Sequence, residues 1–307
     1  MDKIGRPIVR ILLLIVGAVV VLGTTVFVVM RQSGHTGSSQ RASTGNAALA
    51  AFNRGIQALN ADEFPGATHN FETAIELHPP YPEAHFWAGV AYDFQYVPGA
   101  TSSPENGRMA DVAAKHFQTV LDLPDEKITA LRDGDDAVSA DRSLHKATLI
   151  HLGSVYRKTK QFDLARTNYK KASEIDPDNK VPWYYLALTA LRMDEDEVMN
   201  ADMKVGARSL MPGYFETPVR DRLSPNAVRS LRQSLQPVLA QGISDGERAV
   251  KLDPQYASAM EVVSTLHQMT AELAQSQDSY RTGVARSKAW YEKAVAAKKS
   301  NPGGRRD

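Results

Sequence analysis

Cysteine is absent from the 307-residue chain, and its absence excludes several kinds of chemistry. Without a thiol there is no disulfide framework, no thiolate zinc site, no cysteine nucleophile and no lipidated N-terminal cysteine. Aromatic residues are also few, at 7%, and the formal net charge is only +1. Five basic residues lie in the first 46 positions, so the rest of the chain carries a small net negative charge. Because nucleic-acid binding depends on a basic surface, we do not expect a nucleic-acid partner.

Motifs for catalysis and for metal binding are equally scarce. Residues 143–146 have the S-x-x-K spacing of penicillin-binding enzymes, but no S-D-N or K-T-G companion follows. The acidic stretch 133–136 lacks the glycine and the glutamate that a calcium-binding loop requires at its sixth and twelfth places. The histidines show no metal-ligand spacing. We therefore predict no catalytic residue, no cofactor and no bound metal, and we do not expect an enzyme.

One long uncharged run lies near the N-terminus. Residues 11–30 read ILLLIVGAVVVLGTTVFVVM, and twenty residues at about 1.5 Å each match a hydrocarbon core of about 30 Å. A cleaved signal peptide has a shorter apolar region, of about 7–15 residues, and a small-residue cleavage site that is missing here. We interpret 1–10 as a short basic N-terminal segment and 11–30 as a transmembrane signal anchor.

The residues on either side of this run predict its orientation. More basic residues precede the run than follow it, so the positive-inside rule places the N-terminus in the cytoplasm and the body on the periplasmic, extracytoplasmic side. Residues 31–46 are rich in Gly, Ser, Thr and Gln, which predicts a flexible linker. Residues 300–307 are predicted to form a disordered tail. The opposite orientation, with the body facing the cytoplasm, remains an alternative.

An internal repeat organises the rest of the sequence. After Gly153, the residues Ala165, Tyr169, Ala172 and Pro177 follow at successive steps of 12, 4, 3 and 5 positions. After Gly55, the residues Ala67, Phe71, Ala74 and Pro79 follow at the same steps. Gly89 lies 34 residues after Gly55, a period typical of stacked supersecondary units. We call the residues found in this way the repeat-packing residues: Gly55, Ala67, Phe71, Ala74, Pro79, Gly89, Tyr92, Gly153, Tyr156, Ala165, Tyr169, Ala172 and Pro177.

The physics of helix packing accounts for these places. Apolar residues at i, i+3, i+4 and i+7 predict two amphipathic helices in each repeat, joined by a short polar turn such as 158–163. A glycine inside a helix costs about 0.5–1 kcal/mol, so Gly153 is expected where two helix backbones approach closely. Tyr156 and Tyr169 would fill the space beside it. Pro177 cannot continue the second helix.

This pattern resembles the tetratricopeptide repeat, a 34-residue helix–turn–helix unit with W, L-G, Y, A, F, A and P at fixed places. The resemblance implies an all-α solenoid of about five irregular repeats, here preceded by one transmembrane helix. As a whole the chain resembles membrane-anchored bacterial members of this family that carry long inserts. The predicted helical domain spans 47–299, with repeats near 47–80, 82–124, 146–179, 180–254 and 257–299 and inserts at 94–112, 126–142 and 193–223.

The resemblance also implies a binding face, because the first helices of this family line a concave groove that holds peptides. The candidate groove residues are Phe52, Ile56, Phe86, Val90, Ser154, Arg157, Tyr184 and Leu188. They depart from the family's carboxylate clamp, which uses Lys, Arg and Asn at such places, so that function is not carried over. An apolar groove rimmed by Arg157, Lys158 and Arg192 suits an amphipathic helix or an extended apolar segment.

The predicted function is a membrane-tethered scaffold or adaptor of the cell envelope, which binds a protein or peptide partner on its concave face during export or envelope assembly. Three alternatives remain open. In the first, the groove aromatics are core residues that pack under the inserts. In the second, the body faces the cytoplasm as an adaptor or receptor, and in the third, the chain is an enzyme whose site is built from the insert at 193–223.

Overall fold

The computed structural model describes residues 36–100, 103–123, 135–204, 219 and 223–300. Within these ranges the chain forms helices and no β-strand, which confirms the predicted all-α class for them. The helices are α1 (Thr36–Asn60), α2 (Phe64–Leu77), α3 (Pro82–Gln95), α4 (Pro104–Asp122), α5 (Asp135–Lys158), α6 (Phe162–Ile175), α7 (Lys180–Lys204), α8 (Pro225–Leu252), α9 (Ala257–Glu272) and α10 (Gln277–Ser300).

The predicted segments 1–10 and 11–30 and most of the predicted tail lie outside the described residues. Among the helices that are described, none combines the length and the apolar character that a bilayer crossing demands.

Two helices cover each of the five predicted repeats, but the helices extend further than the sequence suggested. The predicted flexible linker 31–46 is corrected from Thr36 onward, because α1 begins there. Once a helix is nucleated by a packed segment, each further residue adds one hydrogen bond for one residue fixed, which costs less entropy per bond than nucleation. For the same reason α5 begins inside the predicted insert 126–142, and α7 continues into the insert 193–223 as far as Lys204.

The insert 94–112 is only partly a loop, because α4 begins at Pro104. The Ser103 side chain caps this helix by accepting a hydrogen bond from the Asn106 backbone N–H. The Asn106 side chain then closes the preceding loop: its Oδ1 accepts from the Val97 N–H at 2.7 Å, and its Nδ2 donates to the Val97 carbonyl at 2.8 Å. One amide side chain therefore holds both backbone groups of Val97.

The first and third repeats share an unusual turn after their first helix. Asp62 has φ 60° and Lys160 has φ 61°, and the two residues lie seven positions after Gly55 and Gly153. A non-glycine residue in this left-handed region costs about 1–2 kcal/mol, so such a residue persists only where the surrounding structure requires it. The equal spacing shows that the two repeats end their first helices in the same way.

The chain divides into two compact units, of which unit 1 contains α1 to α5 and unit 2 contains α6 to α10. The core of unit 1 is built on phenylalanine rings. The centroids of Phe52 and Phe71 are 5.7 Å apart, and those of Phe86 and Phe117 are 5.9 Å apart. All four rings are buried, and each pair joins the two helices of one repeat, α1 to α2 and α3 to α4.

Two glycines make the close approach of these helices possible. A Cβ atom on Gly55 would lie 2.5 Å from Cε1 of Phe71, and one on Gly89 would lie 2.8 Å from Cε1 of Phe117. Both distances are shorter than a side chain tolerates, so the aromatic ring of the second helix occupies the space that the glycine leaves free. Gly55 and Gly89 therefore lie at close helix contacts.

In unit 2, glycines also lie at close contacts between helices, at positions that the repeat pattern did not identify. Leu231, Leu235 and Leu239 lie one helical turn apart on α8 and are buried in its core. Further along α8, a Cβ on Gly242 would lie 2.5 Å from Cβ of Ala190, and one on Gly246 would lie 2.5 Å from Cγ2 of Val263. Here the partners of the glycines are small aliphatic side chains of α7 and α9.

The other repeat-packing residues fall into three groups. Ala67, Phe71, Ala74, Gly153, Ala165, Tyr169 and Ala172 are buried. Tyr92 and Tyr156 are half-buried against the core of unit 1. Pro79 and Pro177 are exposed, and each follows the last residue of a helix (Leu77 of α2 and Ile175 of α6) by two positions.

We predict that Gly55→Ala lowers the free energy of unfolding by about 1–3 kcal/mol, because the buried Phe71 ring cannot move aside. This loss outweighs the gain of about 1 kcal/mol that alanine brings to a helix interior. Gly107→Ala in α4 is the matched control, since its Cβ would meet no atom within 4 Å. It should be stabilising. Urea unfolding followed by circular dichroism measures both, and equal effects of the two substitutions would contradict the packing role.

Candidate functional site

Three of the predicted groove residues belong to the core of unit 1. Phe52, Phe86 and Val90 have only 2%, 0% and 4% of their surface exposed. The Phe52 ring contacts Tyr81 at 5.2 Å between centroids, in addition to Phe71. The prediction that these three residues face a partner is therefore wrong, and the alternative that they are core residues holds. They were misassigned because residue type and helical spacing do not show which side of an apolar stripe a neighbouring helix covers.

The accessible part of the predicted face in unit 1 is smaller. Ile56, Ser154 and Arg157 are half-buried, so they reach the surface in part. Leu49, which was not among the predicted residues, lies seven positions before Ile56 on α1 and is 41% exposed. Residues seven apart share one face of a helix, and this spacing is the signal that would have found Leu49.

The basic rim predicted for the groove is neutralised in part. Lys158 Nζ lies 2.7 Å from Oδ2 of Asp93, a buried carboxylate on α3. Asp93 was not predicted, although it is the charged residue in an otherwise apolar segment of that helix. In unit 2 Arg192 pairs with Glu195 at 2.5 Å. Two of the three rim cations are thus occupied by carboxylates of the same chain.

His151 lies against the phenylalanine core of unit 1. Its ring is 5.3 Å from Phe86 and 5.7 Å from Phe117 between centroids. Burial lowers the pKa of His151 to about 4, while the nearby Asp93 carboxylate raises it and the Lys158 ammonium lowers it further. The imidazole is therefore neutral at physiological pH, and it serves as a packing group.

Unit 2 contains a group of four tyrosines, Tyr169, Tyr184, Tyr185 and Tyr256, which we call the tyrosine cluster. The ring of Tyr184 lies 5.2 Å from that of Tyr185 and 5.2 Å from that of Tyr256. Tyr185 in turn stacks on the buried Tyr169, with the ring planes 13° apart. Tyr184 and Leu188 are half-buried on α7, so this part of the predicted face reaches the surface of unit 2.

A charged pair supports the tyrosine cluster at one end. Lys180 Nζ lies 4.3 Å from the ring centroid of Tyr256 and 2.6 Å from Oδ2 of Asp253. The hydrogen bond from Lys180 lowers the pKa of Asp253, so the carboxylate is charged and the pair is an ion pair at neutral pH. The first turn of α7 is therefore tied to the end of α8 beside the Tyr256 ring.

The four residues of the acidic run Asp194–Glu197 have different surroundings. Asp194 is buried with 3% of its surface exposed, and burial raises its pKa to about 7, with further contributions from Glu272, Glu195 and Glu197. Asp196 pairs with Lys160 and Glu197 accepts a hydrogen bond from Ser234. The sequence could not separate Asp194 from its neighbours, because its burial depends on helices distant in the chain.

In the part of the chain that the structure describes, no three histidine, aspartate or glutamate side chains converge in a way that could hold a metal ion. The accessible features are instead two patches of different character. Unit 1 offers the aliphatic residues Leu49 and Ile56 on α1, and unit 2 offers Tyr184 and Leu188 on α7.

Pairs of antiparallel helices, with glycines at their crossings, define an all-helical repeat protein. Residues 153–194 match the family model described as TPR repeat. Comparison with curated protein sequences finds no match. For residues 153–194 the family match supports the tetratricopeptide spacing that the sequence predicted.

Several solved structures have a similar fold. MamA from Desulfovibrio magneticus RS-1 aligns with a TM-score of 0.50 at 15% identity, over 84% of this chain and 98% of that one. A double mutant of MamA RS-1 gives 0.50 at 15% identity, over 85% and 99%. YrrB, described as a TPR protein with an unusual peptide-binding site, gives 0.45 at 13% identity, over 87% and 100%. At these identities the likeness concerns the fold alone.

We predict that Asp194→Asn stabilises unit 2 at alkaline pH. A carboxyl whose folded pKa is raised contributes fully below its unfolded pKa of about 3.8, and that contribution is lost as the pH rises towards 7. Between pH 4.5 and pH 8 the parent chain should therefore lose about 2–4 kcal/mol more unfolding free energy than the variant.

Urea unfolding at the two pH values measures this difference. Asp178→Asn is the matched control, because Asp178 is an exposed carboxylate in a turn of the same unit. It should leave the pH dependence unchanged. If Asp194→Asn behaved like the control, the buried carboxyl would be charged in the folded chain and the assignment would be refuted.

Proposed function

We propose that the chain is a tetratricopeptide scaffold that binds a protein or peptide partner on the face formed by the first helix of each repeat. The observation that carries this proposal is the position of Tyr184 and Leu188. Both side chains are half-buried, lie one helical turn apart on α7 and fall inside the segment that matches the repeat family. In this family the first helices line the groove that holds peptides.

The chemistry of this face favours an apolar or amphipathic segment as the partner. Tyrosine supplies a large contact area at a small cost in side-chain entropy. The ring contacts within the tyrosine cluster hold Tyr184 in place from below, so little ordering is required on binding. Arg192, two helical turns from Tyr184, adds a polar boundary in its pair with Glu195.

Unit 1 offers a second patch with a similar construction. Leu49 and Ile56 reach the surface of α1, while Phe52 on the same helix is locked between Phe71 and Tyr81. A buried ring beneath an exposed aliphatic pair makes the patch rigid. Rigid apolar patches of this kind are typical of contact surfaces for apolar partner segments.

We also propose that residues 11–30 anchor the scaffold in a membrane, with the body on the extracytoplasmic side, in support of export or envelope assembly. The uncharged run and the excess of basic residues before it support this proposal. Only residues 31–35 separate the run from α1. Five residues span at most about 17 Å, so the start of α1 would stay close to the membrane surface.

The binding proposal predicts that a photo-crosslinking amino acid at Tyr184 captures a protein in the native cell, and that the same probe at Lys170 does not. Lys170 is the matched control because it is exposed on α6, which is the second helix of the third repeat and belongs to unit 2 as Tyr184 does. Leu188→Asp should reduce the yield at Tyr184, since it places a charge on the same face. Mass spectrometry identifies the adducts.

Equal adducts at Tyr184 and Lys170 would argue against the face, as would a yield at Tyr184 that Leu188→Asp leaves unchanged. In either case the tyrosines of α7 would be packing residues, and the inserted segments would become the next region to probe.

The anchoring proposal predicts that alkaline phosphatase fused after Asp307 is active, because this reporter functions only outside the cytoplasm, and that the fusion fractionates with membranes. A fluorescent reporter that matures only in the cytoplasm provides the converse control. Activity of the second reporter alone would reverse the topology and make the chain a cytoplasm-facing adaptor. Recovery of the full fusion in the soluble fraction would refute the anchor itself.

A further inference from the structure

Three helices of unit 1 meet at a chain of polar side chains, which we call the histidine clasp. It consists of Glu72 on α2, His85 and Tyr92 on α3, and His116 on α4. His116 Nε2 lies 3.1 Å from Glu72 Oε1, and His116 Nδ1 lies 3.0 Å from His85 Nδ1. The Tyr92 hydroxyl donates to the same Glu72 oxygen at 3.3 Å.

The outer contacts of the two histidines determine where their protons lie. A carboxylate oxygen only accepts hydrogen bonds, so the Nε2 atom of His116 that faces Glu72 must carry a proton. His85 Nε2 lies 3.2 Å from the carbonyl oxygen of Pro79, which also only accepts. His85 Nε2 must therefore carry a proton as well.

A neutral imidazole carries a single N–H, so with both Nε2 atoms protonated neither Nδ1 atom has a proton. Two lone pairs would then face each other across 3.0 Å, which is repulsive. One additional proton resolves the conflict: one ring becomes an imidazolium, its Nδ1–H donates to the other Nδ1, and every contact of the clasp has one donor and one acceptor. The separation of 3.0 Å is the length of such an N–H···N hydrogen bond.

We propose that the histidine clasp is a binding site for a single proton, held between His85 Nδ1 and His116 Nδ1, and that this proton fastens α4 to α3 and α2. No other reactant takes part. The proton comes from water, and the Glu72 carboxylate balances its charge across the His116 ring. With one added proton, the contact between the two Nδ1 atoms is a hydrogen bond. When both rings are neutral, that contact is repulsive.

The charges around the clasp agree with one proton and oppose a second. The hydrogen bond from His116 lowers the pKa of Glu72, which keeps the carboxylate charged. Burial lowers the pKa of His85, and a positive charge on the His116 ring would lower it further, which opposes a second proton. Two imidazolium rings would place two N–H groups against each other, as coupled sites avoid.

The remaining ionisable groups nearby leave this balance in place. The Tyr92 ring stacks on His116 with 5.7 Å between centroids, and burial raises the pKa of Tyr92, so it is a neutral donor. Arg108 and Glu105 on α4 act on Tyr92 with opposite signs and pair with each other at 2.7 Å. Their charges largely cancel at the clasp.

A double-mutant cycle with His85→Ala and His116→Ala in the full chain tests the proposal. The coupling between the two positions, taken as a ratio of unfolding constants, should be about tenfold larger at pH 6 than at pH 9, because imidazoles lose protons over this range. Tyr92→Phe is the matched control: it removes one hydroxyl from Glu72 and should keep the pH dependence of the cycle.

Coupling that is the same at both pH values would overturn the proposal, since ring packing alone does not depend on pH. The cycle is repeated with a chelator and with added zinc ions. Coupling that disappears with the chelator, or that zinc restores at pH 9, would also overturn it by showing that a metal ion bridges the two Nδ1 atoms.

A second measurement uses the unmodified chain, so it does not depend on the folding of any variant. With ¹⁵N labelling, nuclear magnetic resonance reports the protonation of each ring nitrogen, and resonance assignment of the unmodified chain identifies the signals of His85 and His116. At pH 6 both Nε2 atoms should be protonated, and the two Nδ1 atoms should share one proton. An unprotonated Nε2 in either ring, or two unprotonated Nδ1 atoms, would refute the clasp.

Discussion

The structure depends on the close approach of helix backbones at glycine, with a bulky side chain of the partner helix filling the space. In unit 1 the pairs are Gly55 with Phe71 and Gly89 with Phe117. In unit 2, Gly242 and Gly246 meet Ala190 and Val263 instead. Helices in such close contact bury small and aromatic residues together, and these residues are no longer accessible to a partner. The contact that determines the spacing of the helices thus also determines which residues a partner can reach.

This constraint explains why the accessible face is narrower than the apolar stripe. Phe52 and Phe86 are used to join helices, so they are lost to binding, and Leu49 and Ile56 remain at the edge of α1. On α7, Tyr184 keeps part of its ring at the surface although it contacts two other tyrosines. A packed aromatic ring below an accessible one gives a surface that is firm before any partner arrives, and such a surface loses little entropy on binding.

The sequence predicted the helix pairs and the small residues at their crossings, because both leave a periodic trace in the chain. It did not predict that α1 begins at Thr36, since propagation of a helix depends on neighbours and not on the composition of a few residues. The burial of Asp93 and Asp194 and the meeting of Glu72, His85 and His116 were also missed. These side chains come from separate helices, and no local pattern marks a contact between residues so far apart in sequence.

The left-handed residue in the turns after the first helices has a consequence for how such an array grows. Asp62 and Lys160 occupy one backbone conformation at one place in two repeats, so each turn is a joint of fixed length. The corresponding turn in the second repeat is longer: Gly99 there has φ 84°, and the Asn106 side chain holds the loop at Val97. Additional residues are therefore accommodated in the longer turn of the second repeat, whereas the first and third repeats keep turns of equal length. A repeat with a turn of fixed length can be duplicated or exchanged as a unit.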